Sequence, residues 1–213
     1  MLKVYGFSKV NAGARGNTRD LRVLWALEEM QMPFEIVGMD HPAHALETEA
    51  YRALNPFSQI PVIDDDGIVV SESGAILLYL AKKAGKLIPG DLAGEAQVTR
   101  WSFAALNSIE IPLQVIAMLD WLPEPQPAAR TQMVQWATRH LSNLDQWLDG
   151  RAFVATESFT VADVLLAHVL FVAKDESLLA PHARVRAYRD RCRARPAWQK
   201  TLESYCERVE AAK

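Results

Sequence analysis

Asn55-Pro56-Phe57-Ser58-Gln59-Ile60-Pro61-Val62-Ile63, followed by Ser71-Glu72-Ser73-Gly74-Ala75-Ile76, decides how this chain folds. Val62-Ile63 and Ile68-Val69-Val70 read as strands, and Asp64-Asp65-Asp66-Gly67 between them is a hairpin signal, because Asp and Gly tolerate positive φ. Pro61 has no N–H to give to a ladder, so it belongs at the mouth of the first of these strands. An Ile-Pro bond in a tight turn is also open to the cis form. In that setting the Ile60 N–H and C=O point outward and can pair with an extended ligand backbone, a small case of strand addition.

Ser73 precedes an apolar periodic run of Ala75, Ile76, Leu78, Tyr79 and Leu80. Its side chain suits an N-cap, and the first N–H groups of the helix behind it have no intrahelical partner. Such a helix start attracts a carboxylate. Glu72 beside it can hold an ammonium. The pair therefore reads as a receptor for the head group of an α-amino acid, against the plainer alternative of an ordinary cap with an exposed glutamate.

Gln59, Ile60, Pro61, Glu72 and Ser73 each match a position in the glutathione-binding motif of the cytosolic glutathione S-transferase family. The chain resembles bacterial members of that family and is closest in motif to its serine-type, phi- and theta-like classes. The resemblance implies an α/β thioredoxin-like N-terminal domain and an all-α C-terminal helical bundle. It implies that Ile60 makes the backbone contact to the cysteinyl part of glutathione, that Pro61 is cis, and that Glu72 and Ser73 hold the γ-glutamyl group. Glutathione is then a co-substrate.

The order of elements agrees. Leu2 to Phe7 reads as a strand, Arg22 to Met30 as a helix with an apolar face, and Phe34 to Val37 as a second strand. A short helix around Glu47 to Ala53, the hairpin, and a helix to about Ala84 complete a first domain over 1–84. Residues 85–94, with Pro89, Gly90 and Gly94, read as a linker. The remainder, 95–213, reads as helical: Glu95 to Leu122 interrupted by Pro112, Ala128 to Leu148, Val161 to Lys174, Arg184 to Arg195, and Pro196 to Val209. The third of these is apolar on nearly all sides and should be central. Thr160 and Asp163 before it have capping-box spacing, and Phe159 and Val164 have staple spacing. The same family carries a Thr-x-x-Asp box here, and Arg191 with Arg195-Pro196-Ala197 ahead of Trp198 resembles its closing helices.

The 213 residues carry a net charge of −3, which gives no reason to expect a nucleic-acid or membrane partner. No run of consecutive apolar residues has the length of a membrane span, and the N-terminus reads as a strand rather than a signal peptide, so the expected location is cytoplasmic. Arginines between 184 and 195 spread around a helix and are interrupted by Asp190, as on a solvated face. The only cysteines, Cys192 and Cys206, form no C-x-x-C, which excludes a thioredoxin-type dithiol and the cysteine-dependent transferase classes. No His/Cys/Asp cluster has zinc spacing, so no metal is expected.

The family's reaction is attack of the glutathione thiolate on an electrophile. Lowering a thiol's pKa by about 2 units takes about 2.7 kcal/mol of preferential thiolate stabilisation. In serine-type members the donor lies four or five residues before the first basic residue of the first helix, here Arg22. That count lands on Thr18 or Asn17, with Ser8 at the end of the first strand as a third candidate. All three also have structural roles open to them, as caps or loop residues. The stretch Ser8 to Gly16 reads as a long flexible loop. Tyr5 lies within the strand and is not a candidate. His44, in the loop after the second strand, is a candidate for the glycyl carboxylate, alongside Gln59.

Phe57 stands in an exposed loop, and the resemblance implies a homodimer in which such a residue enters the neighbouring subunit. The electrophile pocket is expected between the domains near Trp101, Asn107, Ile111 and Val115, whose apolar character suits a hydrophobic small-molecule electrophile and a detoxifying role. Two alternatives share the scaffold: a glutathione-dependent isomerase, dehalogenase or peroxidase, and a non-catalytic interaction protein.

Overall fold

The first strand runs further than its apolar pattern suggests. In the computed structural model, which describes residues 1–173 and 175–212, β1 spans Leu2–Asn11. It pairs parallel with β2 (Glu35–Asp40) and antiparallel with β3 (Val62–Asp65), and β3 pairs antiparallel with β4 (Ile68–Ser71), giving the order β2-β1-β3-β4. The expected loop from Ser8 to Gly16 is thus strand as far as Asn11, followed by a short 3-10 turn over Ala12–Ala14. The irregularity lies inside the strand, where the register with β2 shifts between Phe7 and Lys9. Ser8 occupies that bulge over Gly38, where an added Cβ would come within 2.9 Å of the Ser8 Cβ.

Helix α1 (Asp20–Met30) is buried along nearly its whole length. It packs against both α3 (Ser73–Ala84) and α10 (Pro196–Arg208), so it needs apolar residues on every side, and Leu21, Val23, Trp25, Ala26 and Leu27 supply them. Trp25 meets Trp198 of α10 with ring centroids 4.8 Å apart. Glu29 of α1 takes a bidentate pair from Arg195 at 2.6 and 2.7 Å. On the other side of the sheet Leu46, Tyr51, Ile60 and Val62 form a second small core, with Tyr5, Phe7, Met39 and Leu54 packed against it. Helix α2 (Glu49–Leu54), capped by Thr48, delivers Tyr51 to that cluster.

Two compact units result: Met1–Lys86 together with Arg195–Lys213, and Leu87–Ala194. The sequence-based division at 95–213 therefore needs correction at the C-terminus. Residues after Ala194 fold with the sheet because α10 covers α1 and because β5 (Glu210–Ala212) adds a parallel strand to Lys9–Asn11. Arg15 clamps the same segment, donating through Nε to the Val209 carbonyl at 2.8 Å and through Nη2 to the Cys206 carbonyl.

The second unit is helical among the described residues. Helix α4 (Leu92–Phe103) starts three residues before the expected Glu95, because Asp91 caps it by accepting from the Gly94 N–H at 2.8 Å. A π-helical stretch over Ala104–Glu110 then leads without a break into α5 (Ile111–Asp120). Pro112 was expected to interrupt this run. It instead sits in the first turn of α5 behind the re-phased π turns, where its missing N–H costs little. The joined helix Leu92–Asp120 is, at 29 residues, long and apolar enough by length and composition to cross a membrane, a length that a reading broken at Pro112 did not register.

Helices α6 (Pro127–Trp147), α7 (Val161–Val172), α8 (Glu176–Leu179) and α9 (Ala183–Arg193) follow. The expected end of the third bundle helix at Lys174 lies outside the described residues. Helix α7 is buried from Val161 to Leu170 and begins with the predicted capping box. Asp163 accepts there from the Thr160 N–H at 2.8 Å and hydroxyl at 3.0 Å, from the Val154 N–H at 2.8 Å and from the Tyr188 phenol at 2.8 Å.

Candidate functional site

The site grows from the loop between α2 and β3. Asn55, only 2 % exposed, folds this loop around itself. Its Oδ1 accepts from the Phe57 N–H at 3.0 Å and its backbone carbonyl from the Ser58 N–H at 3.0 Å. Ser58 takes a left-handed φ of 53° to close the turn. The Gln59 carbonyl is then fixed by two donors, Asn55 Nδ2 at 2.8 Å and the Tyr51 phenol at 2.9 Å. Neither donor was anticipated, although Tyr51 and Asn55 stand four residues apart across the end of α2, the spacing that lets two side chains meet. Burial pushes the Tyr51 phenol well above its ordinary value, so it remains a donor.

The Ile60–Pro61 bond is cis. Ile60 itself is buried as a side chain, while both strand registers of β3 begin only at Val62, so its backbone belongs to neither ladder.

Glu72 and Ser73 stand at the start of α3, but with exchanged roles. Glu72, not Ser73, occupies the cap position, with φ 67° and ψ 116° and no capping bond from its side chain. Its side chain is exposed. Such a backbone conformation costs a non-glycine residue about 1–3 kcal/mol and persists only where its surroundings hold it. Ser73 is the first helical residue and is buried, and its Oγ accepts from Arg22 Nη1 of α1 at 3.2 Å. The serine hydroxyl is thus oriented by a nearly fully buried arginine that the sequence reading used only as a position marker. The first intrahelical bond of α3 runs from the Ile76 N–H to the Glu72 carbonyl, which leaves the N–H groups of Ser73, Gly74 and Ala75 at the positive end of the helix.

The three thiol-activating candidates occupy different surroundings. Ser8 lies in the β1 bulge against Gly38 rather than at a strand end. Asn17, half-buried, follows Gly16 (φ 81°) and donates its backbone N–H to the Ala14 carbonyl at 2.9 Å. Thr18, 9 % exposed, places its Oγ1 2.6 Å from the Tyr205 phenol of α10. Two residues on, Asp20 is fully buried and accepts from the Phe7 N–H at 2.9 Å. Burial pushes its carboxyl up, while the Thr18 hydroxyl, the Phe7 amide and the Arg208 charge pull it back.

His44 takes φ 58° and lies exposed beside Glu47, with Nδ1 2.7 Å from Oε1. That bond holds the imidazolium above its ordinary value, and it also supplies the histidine's charge with a partner. His41, His44, Asn11 and Ser58 line a surface cleft of the same unit. Gln59 is exposed. Phe57 is 70 % exposed at the tip of the Asn55-centred loop. Of the residues expected to line an electrophile pocket, Trp101 is buried against Trp147 with centroids 5.1 Å apart, Asn107 and Ile111 are exposed, and Val115 is half-buried. Among the described residues no group of three or more His, Cys, Asp or Glu is placed to hold a metal ion.

Comparison with known proteins agrees with this fold. Residues 12–82 match the family model described as glutathione S-transferase, N-terminal domain, and residues 126–196 match that of the C-terminal domain. The chain is similar to glutathione S-transferase 3 of Schizosaccharomyces pombe, at 27 % identity over 85 % of this chain and 81 % of that protein. It is likewise similar to a glutathione S-transferase of Hyoscyamus muticus, at 26 % identity over 86 % of this chain and 92 % of that protein. A glutathione transferase of Burkholderia graminis, solved with two glutathione molecules per subunit, superposes with a TM-score of 0.83 at 25 % identity over 95 % of this chain and 88 % of that one. The two matched domains, the curated relatives and the shared architecture together place the chain in the glutathione S-transferase family.

Proposed function

We propose that the protein is a glutathione transferase that binds glutathione along the Ile60 edge and attacks a hydrophobic electrophile with the bound thiolate. The observation that carries the proposal is the pairing, within one unit, of an unladdered backbone at Ile60 with the strained Glu72–Ser73 start of α3. The Ile60 N–H and C=O match the cysteinyl backbone. The exposed Glu72 carboxylate matches an ammonium, and the α3 N–H groups with the Arg22-oriented Ser73 hydroxyl match a carboxylate. Gln59 and His44 serve the glycyl end. Pro61 shapes the turn that presents Ile60.

Thr18 is the proposed thiol-activating hydroxyl and Asn17 the supporting amide. A thiol of ordinary pKa near 8.5 is only a few per cent ionised at neutral pH, so donation to the sulfur is what the reaction needs from this chain. The exposed Ile111 and half-buried Val115, one turn apart on α5, support an apolar second substrate. The reading includes a homodimer contacted through Phe57 and a cytoplasmic location.

Calorimetry with reduced glutathione, followed by a conjugation assay on wild type, Thr18→Ala and Asn17→Ala, tests the proposal. Binding, and a rate loss of about 10-fold or more in the Thr18 variant, is expected. Absence of binding by the wild type refutes the function, and full rate in both variants refutes the assigned donors.

A further inference from the structure

Residues 12–18 rest on the last helix. The 3-10 turn over Ala12–Ala14 buries no residue, and the backbone bonds here are local: the Arg15 N–H donates to the Ala12 carbonyl at 3.3 Å and the Asn17 N–H to the Ala14 carbonyl at 2.9 Å. The contacts with α10 fall on one stripe. Gly16 lies against Leu202 and Cys206, where an added Cβ would stand 3.8 Å from Leu202 Cδ1 and 4.0 Å from Cys206 Sγ. Thr18 Oγ1 is 2.6 Å from the Tyr205 phenol oxygen. Arg15 donates through Nε to the Val209 carbonyl at 2.8 Å and through Nη2 to the Cys206 carbonyl. Leu202, Tyr205, Cys206 and Val209 have the i, i+3, i+4, i+7 spacing of a single helix face.

The last carbonyls of a helix have no intrahelical partner, and the negative end of the helix dipole favours a cation. Arg15 meets both needs at the end of α10, and its planar fork reaches two carbonyls at once, where a lysine ammonium is a single point charge. The clasp fixes the chain on one side of Asn17. Thr18 fixes it on the other, because its hydroxyl is shared between Tyr205 and the buried Asp20 carboxyl. Asn17 is half-buried between these anchors, and among the described residues its side-chain amide makes no hydrogen bond. Its two N–H donors are therefore open to a ligand. The charges nearby are Asp20 at α1, Arg208 on α10, and Glu210, which pairs with Lys9 at 3.7 Å.

We propose that Arg15 is a positioning residue for thiol activation: by clasping the Cys206 and Val209 carbonyls it holds the Asn17 amide in place for the glutathione sulfur. The inference rests on the proposed function, with Asn17 as the supporting amide. It adds no covalent step.

Two measurements test it. In the protein without glutathione, hydrogen exchange at the Asn17 backbone amide should speed up by about threefold or more in Arg15→Met, which keeps the apolar stem and removes the donors. With glutathione bound, the pH midpoint of thiolate formation, read by ultraviolet absorbance, should rise by about 0.5–1 unit, a loss of about three- to tenfold in thiolate below the midpoint, while Kd by calorimetry stays within about twofold of wild type. The same displacement should lower kcat/KM about tenfold. In an Asn17→Ala background Arg15→Met should leave the midpoint where Asn17→Ala alone puts it, because the positioned donor is already gone. Wild-type exchange at Asn17, or an unmoved midpoint in Arg15→Met, would overturn the inference. So would a shift that persists in full without the Asn17 amide, since the loss of the Arg15 charge would then account for it. If Arg15→Met does not fold, Arg15→Lys decides: it keeps the charge, holds one carbonyl at a time, and should give smaller shifts of the same sign, so wild-type values there overturn the inference. Failure of the wild type to bind glutathione appears in calorimetry before any variant is made, and the inference then falls with the function it rests on.

Discussion

Replacing Glu72 by glycine should make the protein more stable and a poorer binder of glutathione. Glu72 holds φ 67° and ψ 116° at the head of α3, with no capping bond from its side chain. Relieving that conformation is worth about 1–3 kcal/mol. The added freedom of glycine in the unfolded chain takes back about 0.4–1 kcal/mol. A net gain of about 0.5–2 kcal/mol remains, seen as a higher urea midpoint at unchanged slope. Removing the carboxylate deletes a charge-assisted contact to the proposed γ-glutamyl ammonium. Such contacts contribute about 1.5–3 kcal/mol, and solvent exposure puts this one at the lower end, so Kd by calorimetry should weaken about tenfold. Glu72→Gln separates the two effects, keeping the strain and losing the charge. It should bind as poorly as the glycine variant without its gain in stability. A glycine variant that is destabilised by more than about 1 kcal/mol and binds glutathione like wild type would refute both halves of the reasoning.

Three other outcomes are expected. Asp163→Ala strips the acceptor from two buried backbone N–H groups and from the Tyr188 and Thr160 hydroxyls, and should cost about 3–5 kcal/mol in urea unfolding even after the relief of no longer burying a carboxyl. Asp65 is held below its ordinary 3.8 first by Lys83 and then by the Tyr79 phenol at 2.6 Å; its stabilisation is therefore present above pH 3.8 and lost as pH falls through the lowered value, and Asp65→Asn should flatten that acid limb of the stability profile. Phe57→Ala should shift a dimer toward monomer in analytical ultracentrifugation while leaving the urea midpoint of the monomer within about 0.5 kcal/mol, since the side chain is 70 % exposed.

The parts of the fold that could be read from the sequence are those whose signals are local. Asp64-Asp65-Asp66-Gly67 announces the β3–β4 hairpin, and the Asp66 and Gly67 φ values of 52° and 95° match it. The Thr160–Asp163 box announces the start of α7. Residues 59–61 and 72–73 point to the candidate site because a proline at a strand mouth followed by a polar helix start is a compact pattern. What the sequence concealed depends on partners far along the chain. Nothing in Glu210-Ala211-Ala212 signals a strand, since its pairing is imposed by β1 and by Arg15 about 190 residues away in sequence. Ser73 looks like a cap by residue type, yet the positive φ at Glu72 and the buried Arg22 displace it by one position. Pro112 looks like a break until the π turns before it are seen. Thr18 and Asn17 look alike as donors in the sequence, and nothing local announces that α10 returns to set the Tyr205 phenol against the Thr18 hydroxyl.

A crystal structure grown with saturating reduced glutathione tests the central claim most directly. The account predicts the cysteinyl residue hydrogen-bonded to both backbone groups of Ile60, with the γ-glutamyl end against Glu72 and the first N–H groups of α3. Glutathione seated elsewhere on the protein, or the Ile60 edge left empty at saturation, would contradict it.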